Sequence, residues 1–311
     1  MLQEYLQYWG LKSVPFSLTP DPRLLYPAKQ HRECLMRLKY AVHSNKGGAL
    51  VVSEHPGDGK TTLIRRLIGD LEAELRHSVA FALIDHPTLT PNQMVQEICT
   101  QLGVQKPSRQ RHQNLNQLRE RLHYYRNLGT KCVIIVDEGQ MLRDRIETLQ
   151  ELRILLNFSM TADFLLTFVL MGQKELEDTI RKIPEFWQRL PVRYFLGNLD
   201  RRESEEMVRF RLQQCGHTGE DIFTEDGYDA IFHYSKGIPR VICSISDLCL
   251  LIGYSSRVRV LDMLVVHEAS QDMDGSEQGF HYYKFIREEE RRSAADTSPS
   301  SAPSGPSGPG M

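Results

Sequence analysis

The chain has 311 residues, 41% of them hydrophobic and 25% charged, with a formal net charge of −2. This is the composition of a globular protein long enough for one large domain or two ordinary ones. The near-neutral charge excludes a whole-chain electrostatic attraction to nucleic acid or anionic membrane. The start, Met1-Leu2-Gln3-Glu4-Tyr5, reads as no secretory signal, lacking a basic run followed by an apolar one. The most apolar stretch, residues 164–172, falls short of the roughly 20 residues of a membrane helix. The six cysteines form no CxxC pair, so a reducing, cytoplasmic setting is expected and no metal site.

In chain order, residues 1–30 mix aromatics with prolines, and Pro15, Pro20 and Pro22 rule out one continuous helix there. The aromatics Tyr8, Trp9 and Phe16 imply that the segment packs on something. Helical periodicity runs from His31 to about Ser44, with Cys34, Leu35, Leu38 and Val42 on one face. Ala49 to Val52 is a short apolar run before a glycine-rich loop, and Thr61 to Leu75 reads as a helix. Strands are then expected at 79–84, 132–136, 164–171 and 192–196, with helices at 91–102 and 146–158. Strand–helix alternation with continuously apolar strands indicates a five-stranded parallel sheet covered on both faces, an α/β fold.

From about Asp200 the alternation stops. Residues 201–214, 224–235 and 240–254 read as helices without intervening strands, a small all-helical domain. The chain turns polar after Asp272; residues 282–292 read as one charged helix and 297–311 as a disordered Ser/Pro/Gly tail. The expected division is therefore 1–36, 37–199, 200–272 and 273–311.

Glu54-His55-Pro56-Gly57-Asp58-Gly59-Lys60-Thr61-Thr62 joins a predicted strand to a predicted helix, the context of a phosphate-binding P-loop. Gly57 and Gly59 allow backbone N–H groups to wrap a phosphate, and the helix N-terminus adds partial positive charge. Pro56 to Thr62 would form the nucleotide cradle, with Lys60 on the β- and γ-phosphates and the Thr61 hydroxyl on Mg²⁺. Glu54 occupies the place of the motif's first glycine.

Val133 to Val136 is an apolar strand ending in Asp137-Glu138. The C-terminal ends of parallel strands are where such sheets hold ligands. Asp137 would hold Mg²⁺ and Glu138 would orient the attacking water. Both motifs, in this order, point to ATP and Mg²⁺ as cofactors. Phosphoryl transfer needs further charge stabilisation, and three candidates follow: Gln173 after the fourth strand, Arg189, and Arg240 at the start of a helix in the second domain.

With Tyr8-Trp9-Gly10-Leu11, Pro15-Phe16-Ser17-Leu18-Thr19-Pro20-Asp21-Pro22, both nucleotide motifs, Leu170-Met171-Gly172-Gln173, Gln188-Arg189 and Gly237-Ile238-Pro239-Arg240, the sequence resembles the ExeA/GspA-like AAA+ ATPases over about residues 5–265. It is also similar to transposition ATPases of the TniB/TnsC type. The resemblance implies an AAA+ fold with a helical lid and an opening segment lying against the nucleotide-binding core. It implies Gln173 at sensor 1, Arg189 at the arginine finger and Arg240 at sensor 2. An arginine finger acts between subunits, so rings or filaments are implied. Members of that family usually continue into a membrane helix and a peptidoglycan-binding domain, neither of which is read here.

Residues 104–131 carry Lys106, Arg109, Arg111, Arg119, Arg121, Arg126 and Lys131 against the single acid Glu120, with Tyr124 and Tyr125 among them. Such a cluster can neutralise DNA phosphates; it can equally be a helix face that meets the next subunit, and the plain reading is the solvated face of a helix whose Leu115, Leu118 and Leu122 face the core. The expected function is an ATP-hydrolysing oligomer that drives assembly or remodelling of a protein partner. The alternative is a nucleotide-gated DNA-binding scaffold with slow hydrolysis.

Overall fold

The computed structural model describes residues 1–76, 78–160 and 163–273. The charged helix expected at 282–292 and the tail at 297–311 lie outside the described residues. Helix α1 (Leu2–Trp9) opens the chain, and α2 (Lys29–His43) leads into β1 (Gly48–Ser53). There follow α3 (Lys60–Glu74), β2 (Val79–Ile84), α4 (Pro91–Gln101), α5 (Arg111–Asn127) and β3 (Lys131–Val136). Helix α6 (Ile146–Leu155) precedes a two-stranded hairpin, β4 (Ser159–Met160) and β5 (Asp163–Phe164). Strand β6 (Thr167–Gln173), α7 (Lys174–Arg181), α8 (Pro184–Trp187) and β7 (Val192–Leu196) complete the α/β portion.

The five long strands form one parallel sheet in the order β2-β3-β6-β1-β7. Their side chains are apolar on both faces because both faces are covered. Leu50, Val52, Ile134, Val136, Phe168 and Leu170 point into a core closed by α4 to α8. Ala49, Val51, Val133, Ile135, Val169 and Met171 point into a second core under α2 and α3. The expected parallel sheet is present, and its register decides where the motifs meet. Strand β6 separates β1 from β3, and Ser53 at the end of β1 lies beside Gln173 at the end of β6.

Helices α9 (Arg201–Gln214), α10 (Glu225–Ser235), α11 (Pro239–Ser256) and α12 (Met263–Met273) build a separate core. Sharp helix starts come from side-chain caps: Asp200 and Glu203 form a reciprocal capping box on α9. Thr224 caps α10 through the Gly227 N–H.

Several boundaries differ from the sequence reading. The helix expected to reach residue 158 stops at Leu155, and the strand expected from 164 starts at Thr167. Phe164 instead sits in the hairpin, where its ring closes over Gly47. A continuous apolar run from 164 onward cannot reveal that break. Helices α1, α7, α8 and α12 were not expected. The boundary expected at residue 36 falls inside α2, whose Cys34 and Leu38 belong to the α/β core.

The opening segment also packs elsewhere than expected. Tyr5, Trp9, Leu11 and Phe16 join the core of the helical region. Trp9 Nε1 donates to Leu250 O at 3.1 Å, and the Tyr5 and Tyr254 rings meet edge-on. The sheet faces are already covered by helices, so the aromatics find their apolar partners on α9 and α11. Residues 17–26 turn back toward the nucleotide motifs, with Arg65 of α3 holding Pro20 O at 2.9 Å, and the start of α2 follows them there.

Candidate functional site

The P-loop leaves β1 at Ser53 and enters α3 at Lys60. Gly57 and Gly59 have φ of +97° and +88°, a conformation that L side chains rarely adopt. A Cβ at Gly57 would also lie 2.6 Å from Arg240 Cβ, so this position admits only glycine while the helical region is in place. Glu54 is exposed and outside the cleft. The residue at the place of the motif's first glycine thus adds no side chain to the lining of the cleft. Asp58 is buried with its side chain turned inward, accepting from the His55 N–H at 3.2 Å. It therefore ties the loop to itself and is not among the residues that line the cleft.

Lys60 is 6% exposed, and its ammonium donates to Ser53 Oγ and, at 3.4 Å, to His55 O. Burial pulls it below the usual lysine range, against the opposing pull of Asp58, Glu138 and Asp137. The Thr61 hydroxyl donates to Asp137 Oδ2 at 2.7 Å, which brings the two proposed metal-binding oxygens together. Burial raises the Asp137 carboxyl above the ordinary aspartate range, against the opposing pull of its bond from Thr61. An oxygen pair of this kind beside a phosphate cradle suits Mg²⁺, which binds few protein ligands and leaves the rest to water and phosphate.

Glu138 has φ of +50°, which swings its side chain out of the strand direction and into the cleft. Gln140 Nε2 donates to Glu138 Oε2, and Gln140 Oε1 accepts from the Gln173 N–H at 3.1 Å. Sequence reading passed over Gln140; its only signal was a carboxamide two residues beyond the paired acids. A Cβ at Gly172 would lie 3.0 Å from Gln140 Oε1, so that glycine makes room for the link. Ser53 and His31 were also passed over. His31 lines the cleft, buried, with Nε2 3.4 Å from Asp58 O, and burial lowers its imidazole below the usual histidine range.

One cleft, with about 900 Å³ of empty space open to solvent, gathers most of the sequence-derived candidates. Pro56, Gly57, Gly59, Lys60, Thr61 and Thr62 form its floor, and Glu138 and Gln173 one wall. Arg240 comes from the helical region, where its backbone N–H donates to Gly57 O at 3.2 Å. Arg189 is apart. Its carbonyl lies beside Gly48 at the opposite end of β1 from the P-loop, about five residues or roughly 17 Å of strand away. Its guanidinium donates to Leu156 O at 3.2 Å.

The basic segment is largely committed within the fold. Arg111 pairs with the buried Glu151, Arg126 with Asp163, and Lys131 reaches His43 O and Asn45 Oδ1. Arg119 lies over Phe158, while Arg121 lies over Tyr125 and donates to Leu102 O. Five of the seven basic side chains thus have partners of their own, and Leu118 and Leu122 are buried as expected of a core-facing helix. All six cysteines are buried and unpaired, and no described helix is long and apolar enough to cross a membrane.

The family model described as an AAA domain matches residues 43–180. General secretion pathway protein A of Aeromonas hydrophila is 34% identical over 259 residues, 81% of this chain and 45% of that protein. The chain thus spans less than half the length of this relative. Among solved structures, the Aeropyrum pernix ORC2 protein in its ADPNP–ADP complexes superposes with a TM-score of 0.61 at 16% identity, over 85% of this chain and 72% of that one. Drosophila ORC bound to DNA superposes with a TM-score of 0.59 at 21% identity, over 88% and 66%. At such identities the solved structures establish the fold alone. Domain match, curated relative and solved structures agree on an AAA-type P-loop fold, and over 81% of its length the chain is similar to general secretion pathway protein A.

Proposed function

We propose that the protein binds and hydrolyses ATP with Mg²⁺ and uses the cycle to drive assembly or remodelling of a protein complex. The observation that carries this reading is the convergence of Lys60, the Thr61–Asp137 pair, Glu138 and Arg240 on one cleft from separate elements. Bound Mg²⁺ would supply charge neutralisation between the phosphates. Thr61 and Asp137 would hold it. The backbone of Gly57 to Thr62 binds the phosphate chain, and Lys60 holds its β- and γ-groups. Glu138 positions a water for in-line attack, and Gln173 borders the same place. Arg240 senses the γ-phosphate from the helical region, whose orientation then follows the nucleotide state.

Arg189 acts, in this reading, on the nucleotide of a neighbouring copy, since its own cleft is a strand's length away. Ring or filament assembly is therefore part of the proposal. The relative's name connects it with secretion, and an assembly role in such a system is the pathway we favour. The DNA-scaffold reading has less support, because most of the basic segment is already paired internally. The test measures ATP turnover and particle size together across protein concentration, with and without double-stranded DNA. Turnover that rises with assembly, and is lost in Glu138→Gln and Arg189→Ala, supports the proposal. No ATP binding at millimolar concentration would overturn it, and DNA-driven assembly with negligible turnover would favour the scaffold.

A further inference from the structure

Glycines allow the P-loop its shape without choosing it. Gly59 has φ of +88°, and a glycine takes positive or negative φ about equally well. The peptide unit joining Asp58 to Gly59 can therefore turn over, and its C=O and N–H, which point in opposite directions, exchange places. In one orientation a phosphate in the cleft meets the Gly59 N–H, which attracts it; in the other it meets the Asp58 carbonyl oxygen, which repels it. In the structure the Asp58 carbonyl is turned to the first turn of α2, where His31 Nε2 lies 3.4 Å away. Gly59 lines the cleft, and its N–H donates to no group among the described residues. His31 is 4% exposed, and a Cβ on Gly59 would lie 3.5 Å from the same Nε2, so the imidazole is packed against this turn of the loop. Its support is fixed. The adjacent Gln30 donates to Gly197 O at 2.9 Å and accepts from the Gly197 N–H at 2.8 Å, and Cys34 and Leu38 seat α2 in the core.

We propose that His31 is a positioning residue of the phosphate cradle: its Nε2–H donates to Asp58 O and so holds the Gly59 N–H toward the bound phosphates. This rests on the nucleotide reading of the cleft given above. A carbonyl oxygen only accepts, so the bond requires the proton on Nε2. Burial disfavours the imidazolium, which leaves one proton for the two ring nitrogens. Nδ1 is buried without a partner among the described residues, so no second bond competes for that proton. Asp58 is held at its other end too, its carboxylate accepting from the His55 N–H at 3.2 Å. Side chain and carbonyl of one residue are thus both tied, and the N–H that follows them is the group left for a ligand. His31 acts through the peptide unit and not on the phosphate itself. Without its donor the peptide populates both orientations, and affinity falls with the fraction of molecules turned the wrong way.

The test uses the full chain carrying Glu138→Gln, so that ATP is not consumed, and measures its affinity for ATP with Mg²⁺. Two further variants are made in that parent. His31→Phe keeps a ring and loses the donor; His31→Gln offers an Nε2–H donor from nearly the same place. His31→Phe should bind ATP roughly three- to tenfold more weakly, the scale of one hydrogen bond, and His31→Gln should recover most of that loss. A role in packing alone would not be rescued by glutamine, so equal weakness of the two variants overturns the proposal. Equal affinity of His31→Phe and the parent overturns it as well. A third measurement needs no stable variant at position 31 beyond the glutamine used for assignment: ¹⁵N spectra of histidine-labelled parent near neutral pH should show His31 neutral with its proton on Nε2. A proton on Nδ1 instead sinks the idea. If the parent binds no ATP at millimolar concentration, the nucleotide reading fails and this inference with it; if ATP binds and His31→Phe matches the parent, only the positioning role fails.

Discussion

Gln140 ties Glu138 to Gln173: its carboxamide donates to the Glu138 carboxylate and accepts from the Gln173 N–H at 3.1 Å. One side chain thus sets the position of the proposed water-orienting acid relative to the neighbouring strand end. Gln140→Ala should leave ATP affinity close to the parent's and lower kcat roughly 10- to 100-fold, the scale of a small misplacement at a reacting centre. Gln140→Glu should do no better, since a carboxylate cannot donate to Glu138. A variant that loses affinity and keeps kcat would contradict this role.

The hydrogen bond from Thr61 to Asp137 joins the start of α3 to the end of β3. Thr61→Ala and Asp137→Ala should each lower Mg²⁺-dependent turnover on the order of 100-fold or more, as several kcal/mol of Lewis-acid stabilisation would require. Thr61→Ser keeps the hydroxyl and should retain activity. Titrating ATP turnover with Mg²⁺ in each variant checks this.

Gly237 joins α10 to α11 at φ +76°, and a Cβ there would lie 1.9 Å from Leu199 O. Leu199 N–H donates to Gly237 O at 2.9 Å, so the two backbones are held together. Gly237→Ala should cost more than about 2 kcal/mol, combining left-handed strain with a backbone clash. Because Arg240 follows three residues later, the same variant should bind ATP more weakly. Urea unfolding and nucleotide titration read the two effects separately.

Trp9 is 3% exposed against α11. Trp9→Ala should destabilise the protein by about 3–5 kcal/mol, the cost of removing a large buried side chain. Trp9→Phe, which loses chiefly the bond to Leu250 O, should cost about 1–2 kcal/mol. Chemical denaturation of both variants tests whether the first helix is integral to the helical region.

Glu268 is buried on α12, its Oε2 without a partner among the described residues, and burial with the nearby Asp272 raises its carboxyl to about 7. The folded state therefore holds a proton that the unfolded state releases at lower pH. Stability falls as pH rises from the ordinary glutamate range to about 7, and no further above it. Glu268→Gln should melt above the parent at pH 8, by on the order of 2 kcal/mol, and the gap should close toward pH 5. A gap independent of pH would mean that the carboxyl does not titrate there.

Much of this was legible in the sequence, for identifiable reasons. Continuous apolar runs such as Val133 to Val136 occur where a strand is covered on both faces, so the parallel sheet could be read directly. Gly57, Gly59, Lys60 and Thr61, proposed to wrap phosphate, follow one another at a single loop–helix junction, so local spacing sufficed to find them. The break between Phe164 and Thr167 and the helix Met263–Met273 were not legible. Their patterns change sense only once the neighbours they pack against are known.

From the sequence alone came the α/β class, the P-loop motif as a proposed phosphate cradle, the paired acids Asp137 and Glu138, and Arg240 as a candidate from the helical region. Each is encoded in a short stretch of chain. Only the tertiary structure decided that the opening aromatics belong to α9 and α11, that Glu54 faces solvent, that Gln140 bridges Glu138 and Gln173, and that Arg211 enters the cleft. Those facts depend on which surfaces remain uncovered once the sheet is wrapped, and on contacts between residues 196 and 241 positions apart, which no local pattern records.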